Sequence, residues 1–297
     1  MTAFRRVVVA YDGSPPAEDA LALALRLCDP ADGVLTLACA VVEHPWRLPG
    51  QRDPEAVPDD IASMLTEARD RLPAGIRVRQ RAPLASSPAR ALTELAGREG
   101  VDLLVVGSSR HAQDGRVSLE RTAGRLLHGS PCAVALPPAG LRSHEPFRHV
   151  GVAYDASPEA GLALSAAYRI AARSGAAVTI AHALAPVPLT ADSEALAREA
   201  RLEAQRRLDD AAEQAPDGVN PRTVLLHGRP ADAIREAFDG IVDLLVTGSR
   251  GYGPMQRVLL GSVSEALADG APQPALVLPR HTAPETASLA AAGAGAS

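Results

Sequence analysis

Lysine is missing from this 297-residue chain, so all 30 of its positive charges are arginine. That absence excludes a Schiff-base lysine and a phosphate-binding loop that depends on a lysine. Aromatic residues make up only 3% of a sequence that is 46% hydrophobic. The core must therefore be built from alanine, valine and leucine, a palette suited to buried parallel strands under alanine-rich helices. Cysteine occurs three times, as Cys28, Cys39 and Cys132, without metal-ligand spacing, and reads as buried free thiol in a reducing compartment. The net charge of −5 gives no reason to expect nucleic acid as a partner. No apolar run approaches the roughly 20 residues that span a bilayer, and Met1–Arg6 leaves no room for a secretory leader. A cytoplasmic protein with no membrane partner is expected.

What is present repeats. Val7–Pro15 reads VVVAYDGSP and Val150–Pro158 reads VGVAYDASP, while Val101–Ser108 (VDLLVVGS) returns as Val242–Ser249 (VDLLVTGS). The offsets are 143 and 141 residues, a period that means duplicated domains rather than a solenoid. The division expected is a first domain over 1–140, a linker over 141–146, a second domain over 147–280 and a disordered tail over 281–297. In the second copy the pattern predicts strands at Val150–Tyr154, Ala177–Ala183, Arg222–Leu226, Asp243–Thr247 and Ala275–Leu278. Helices fall between them, with Ser157-Pro158 as cap and first helical residue. Each copy reads as an open, five-stranded, Rossmann-like α/β domain with a parallel sheet and helices on both faces.

In such a sheet, ligands bind beyond the carboxyl ends of the strands, where the winding reverses. If strands 1 and 4 are central neighbours, the loops after them meet in one crevice. Those loops carry Asp155 and the run GSRGYGPMQRVLLGSVSEAL, with Gly248, Gly251, Gly253 and Gly261. Glycines let successive amides approach phosphate oxygens, and the helix start after Gly261 adds free N–H groups. Ser262 and Ser264 can donate further hydrogen bonds.

The spacing Gly248-x2-Gly251-x9-Gly261-Ser262, with VAYDASP, His227-Gly228-Arg229-Pro230-Ala231 and VDLLVTGSRG, resembles the ATP-binding members of the universal stress protein family. The resemblance extends over both copies. It implies that Ala153, Tyr154 and Asp155 face the adenosine end of ATP and that Ala183 flanks the adenine. Thr247 and Gly248 would lie along the ribose, and Gly251, Gly261, Ser262, Val263 and Ser264 around the phosphates. The nucleotide would be ATP, or its products ADP or AMP, with Mg²⁺ bound alongside. The first copy departs from this signature. Gly107 matches Gly248, but Arg110 replaces Gly251, Glu120 replaces Gly261 and Arg121 replaces Ser262. A carboxylate where phosphate amides converge is repulsive, which favours a single site in the second copy.

Each motif also has a structural reading. Ser262 with Glu265 fits a capping box, and Asp12 and Asp155 fit turn caps. Arg250 is a phosphate contact or an exposed loop residue in equal measure. His111, His128, His182 and His227 show no paired metal spacing, and Glu194–Arg207 reads as a solvated helix face. No nucleophile with its base, and no acid-base carboxylate pair, can be set beside the glycine loop. The reading is therefore a nucleotide-binding regulatory protein with at most slow ATP hydrolysis. The alternatives are an interaction module without nucleotide and a nucleotide-dependent ligase or transferase. Cys132–Leu136 and Ala275–Leu278 would be sheet edges, which invite pairing of the two copies or of two chains in a homodimer.

Overall fold

The computed structural model describes residues 4–43, 57–119, 121–143, 145–186, 193–249 and 261–279. The first repeat runs β1 (Arg6–Ala10), α1 (Pro15–Leu27), β2 (Val34–Ala38), β3 (Val41–Val42), α2 (Asp59–Asp70), β4 (Arg77–Arg81), β5 (Leu84–Ala85), α3 (Pro88–Glu99), β6 (Leu103–Val105), α4 (Arg121–Gly129) and β7 (Ala133–Leu136). The second runs β8 (His149–Ala153), α5 (Pro158–Ser174), β9 (Ala177–Leu184), α6 (Ser193–Glu213), β10 (Pro221–His227), α7 (Pro230–Phe238), β11 (Leu244–Gly248), α8 (Ser262–Ala268) and β12 (Ala275–Leu278). The two-residue strands β3 and β5 pair with each other as a small separate ladder that the hydrophobic pattern did not signal.

Ten strands form one sheet in the order β10-β9-β8-β11-β12-β7-β6-β1-β2-β4. Within each repeat the order of the five long strands is 3-2-1-4-5, all parallel, so strands 1 and 4 are indeed adjacent. The two halves meet at β12 and β7, which run antiparallel with Leu276 opposite Ala135. The last strands, expected at sheet edges, therefore lie in the middle of the sheet.

Strand periodicity sorts the core onto two faces. Val7, Val9, Val150 and Val152 face α1, α2, α5 and α6, whereas Val8, Leu104, Leu245 and Val277 face α3, α4, α7 and α8. Each of the two apolar clusters runs through both repeats. The aspartate of each VDLL segment closes the start of strand 1. Asp102 accepts from the amides of Arg5 and Arg6 at 3.0 and 2.8 Å, and Asp243 from those of Arg148 and His149 at 2.8 and 3.0 Å. Asp102 thus ties the start of β1 to β6, and Asp243 ties the start of β8 to β11.

Candidate functional site

In the second repeat Thr247 stands opposite Ala153 in the β11–β8 register, so the two strand ends named from sequence are neighbours. The Tyr154 amide donates to the Ala181 carbonyl at 2.9 Å, and Ala183 lies two residues further along β9. His182, through Nδ1, pairs with the Tyr154 carbonyl at 2.8 Å and steadies the turn that follows β8. Burial, with help from the nearby Asp155 carboxylate, raises the Tyr154 phenol above its ordinary value. Asp155 Oδ1 accepts from the Ser157 amide at 3.0 Å, while Ser157 Oγ caps α5 by accepting from Ala160 at 3.2 Å. Asp155 is thus held in the turn that leads into α5. Between them Ala156 adopts φ +62°, where the first repeat has Gly13 at φ +74°.

Gly248 has a packing reason of its own. A Cβ there would lie 2.6 Å from the Glu159 carbonyl carbon, and at the matching Gly107 it would lie 2.2 Å from the Pro16 oxygen. Only glycine lets the end of strand 4 cross the first turn of the strand-1 helix this closely. Thr247 and Ser264 are buried, and Ser264 Oγ donates to the Gly248 carbonyl at 2.6 Å, tying α8 to β11. Val263 packs on the core from the same helix. Gly261 is the N-cap of α8 with φ −70° and no side chain to cap it, and Ser262 is the exposed first helical residue. The capping-box reading of Ser262 and Glu265 therefore fails, because that motif needs the serine one position earlier, at the N-cap. The first amides of α8 are left without a side-chain partner from the cap. Arg250 and Gly251 lie outside the described residues.

Ser249 was not singled out from sequence. It is 1% exposed, its amide donates to the Leu278 carbonyl at 2.7 Å, and among the described residues its hydroxyl has no hydrogen-bond partner. The matching Ser108 hydroxyl donates to the Pro137 carbonyl at 2.7 Å and accepts from the Ser118 amide at 3.1 Å. The signal available in the sequence was the repetition of the serine itself.

At the equivalent strand ends, which lie at the opposite edge of the sheet, the first repeat is differently furnished. Arg110, which replaces Gly251, pairs its guanidinium with Asp12 at 2.6 Å. Asp12 is the counterpart of Asp155, and it also accepts from the Ser14 amide and hydroxyl. Burial pushes the Asp12 carboxyl up, but the Ser14 and Arg110 bonds outweigh that and hold it below its ordinary value. Further along, the loop leaves the crevice and crosses to the second repeat. Val117 exchanges backbone hydrogen bonds with Gly270 and Ala271, at 2.8 and 2.9 Å, and the Leu119 amide donates to Asp269 at 3.1 Å. Glu120 lies outside the described residues.

Cys28 and Cys132 are buried and Cys39 half-buried, all unpaired. Desolvation raises the thiols of Cys28 and Cys132 to about 11, which removes them as nucleophiles at neutral pH. Among the described residues no group of three or more histidines, cysteines or carboxylates is placed to hold a metal ion. No helix among them is long and apolar enough to cross a membrane.

A protein-family model described as the universal stress protein family matches residues 3–137 and again residues 146–279. A universal stress protein of Thermus aquaticus is 39% identical over 139 residues, which cover 44% of this chain and 98% of that protein. One from Mycobacterium tuberculosis is 26% identical over 292 residues, 92% of this chain and 99% of the relative. Among solved structures, a universal stress protein from Archaeoglobus fulgidus has a similar fold. It has a TM-score of 0.66 at 21% identity and covers 92% of this chain and 98% of its own.

Proposed function

Because the chain belongs to the universal stress protein family, as a tandem of two such domains, we propose that it is a stress-response regulator whose second domain binds an adenine nucleotide. The ligand is ATP, or its products ADP or AMP, with Mg²⁺ carried by the phosphates. The assignment of domains to 1–140 and 147–280, joined by 141–146, belongs to this reading, as do a cytoplasmic location and pairing of the domains or of two chains.

The observation that carries it is the contrast between the two copies at the carboxyl ends of their equivalent strands. In the first, a side chain at the second glycine position reaches back to Asp12, the counterpart of Asp155, in an exposed ion pair. In the second, that position is Gly251, which has no side chain to do so. Asp155, Ala153, Tyr154 and Ala183 would meet the nucleoside, and Thr247 and Gly248 the ribose. Gly251, Gly261, Ser262, Val263 and Ser264 would surround the phosphates, with Arg250 as an added cation. The uncapped first turn of α8 is a setting in which amides suit an anion. The burial of Ser264 and its bond to Gly248 assign its hydroxyl to holding α8 in place, so its backbone amide is the group offered to phosphate. Bound nucleotide supplies a polyanion and its metal; the chain supplies binding and orientation. The function read here is binding, with at most slow ATP hydrolysis.

For the first domain a structural role is favoured by the crossing of residues 116–119 to the second.

The test is mass spectrometry of small molecules released from freshly purified protein, beside a Gly261→Glu variant that installs the residue of the first copy. One adenine nucleotide per chain, lost in the variant, is expected. Two per chain would overturn the single-site reading. None, with no binding on titration with Mg-ATP, would leave the interaction-module reading in its place.

A further inference from the structure

The first repeat contains a cavity of about 460 Å³ between α1, α2 and the segment that leads to the second repeat. Its wall is Leu21, Leu25, Leu72, Ile76 and Leu141, with Ala22, Ala68 and Pro73 between them. The size lies within the range of about 300–1,000 Å³ usual for small-molecule sites. Three charged residues, Glu18, Arg71 and Arg142, also line it.

The second repeat shows what a filled version looks like. Position 25 corresponds to Tyr168, whose ring is buried and whose hydroxyl donates to the Ala211 carbonyl at 2.7 Å. Ala211 corresponds to Ala68, a cavity-lining residue of the first repeat. There the aromatic ring spans from the first helix to the second and occupies the space between them. With leucine at position 25 that space stays open.

The charges say what kind of ligand belongs there. Glu18 is committed, accepting from Tyr11 at 2.5 Å and from Arg71 at 2.7 Å, while Arg71 also donates to Tyr11 at 2.9 Å. Its counterpart in the second repeat is Gly161, so this cluster is particular to the first. Asp19, beside it, accepts from the Gly140 amide at 2.7 Å. Arg142 makes no hydrogen bond among the described residues and stands exposed at the mouth, near enough to Glu18 and Asp19 to act on both through space. A guanidinium with no hydrogen bond among the described residues, at the mouth of an apolar cleft, suits a single negative charge on a hydrocarbon body. The nearby carboxylates disfavour a doubly charged phosphate head.

We propose that this cavity binds an amphiphilic monocarboxylate of the fatty-acid class, with its chain between α1 and α2 and its head on Arg142. Because Leu141 and Arg142 belong to the segment joining the repeats, occupancy would be sensed at that connection. The site is independent of the nucleotide reading.

The experiment is titration calorimetry of the full chain with dodecanoate, dodecanol and dodecyltrimethylammonium below their aggregation concentrations. Dodecanoate should bind at one per chain, and the cationic analogue should not compete. Leu25→Tyr, which installs the residue of the second repeat, should weaken dodecanoate at least about tenfold with its circular dichroism unchanged. Arg142→Gln, at an exposed position, should leave the circular dichroism unchanged, weaken dodecanoate about three- to fivefold, as for an exposed charge pair, and leave dodecanol unaffected. Absence of dodecanoate binding, equal binding by Leu25→Tyr, or an Arg142→Gln effect shared by all three probes would each overturn the assignment. Nucleotide content of the same samples should be the same in all variants.

Discussion

Ala156 sits one residue beyond Asp155 in a left-handed conformation that its counterpart, Gly13, adopts without a Cβ. That geometry costs an L-residue about 1–2 kcal/mol, against about 0.5–1 kcal/mol for the extra freedom of an unfolded glycine. Ala156→Gly should therefore stabilise the protein by about 0.5–1 kcal/mol, read as a higher urea midpoint. The reciprocal Gly13→Ala should destabilise it, since its Cβ would also come within 3.0 Å of Met64 Sδ. A lower midpoint for Ala156→Gly would mean that the turn is held by something other than its backbone preference. The sequence made the repeated YD-x-SP turn visible, because its residue types are local signals. It did not reveal that Arg110 turns back on Asp12, since those residues are 98 positions apart and only the sheet brings their loops together.

Among the elements, the loop after β6 has changed its employment. Its counterpart after β11 carries the glycines of the candidate site, whereas this one runs through Arg116–Leu119 onto the turn after α8. Val117 is 1% exposed and its backbone is paired in both directions with the other repeat. Val117→Ser should cost about 1–3 kcal/mol, from lost apolar burial and a buried hydroxyl. Chemical unfolding followed by circular dichroism measures it, and an unchanged midpoint would remove the loop as a clamp between repeats. Helix starts were legible where Ser-Pro marks them, as at α5, and Ser157 does cap that helix. The cap of α8 was less legible, because the run GSVSE offers both a glycine and a serine and only backbone geometry chooses between them.

At the scale of the whole molecule, both apolar clusters pass through the two repeats without a break, and β12 is paired with β7 across their junction. Arg173 of α5 adds hydrogen bonds to the carbonyls of Cys28 and Arg26, and the Arg26 guanidinium lies 3.8 Å from the centre of the Phe147 ring. Neither repeat can lose its last strand without stripping a neighbour from the other. Scanning calorimetry should accordingly record one transition whose calorimetric and van't Hoff enthalpies agree. Two resolved transitions would show that the repeats unfold independently. By itself the sequence determined the duplication, the alternation of strand and helix, an aliphatic core and the loss of the glycine signature in one copy. All of these are written in residue types and short spacings. Only the tertiary structure decided that Arg110 pairs with Asp12, that leucine at position 25 lines a cavity where Tyr168 bridges the matching helices, and that one sheet carries both repeats. Those outcomes depend on side chains far apart in the chain, whose meeting is set by how helices and strands pack.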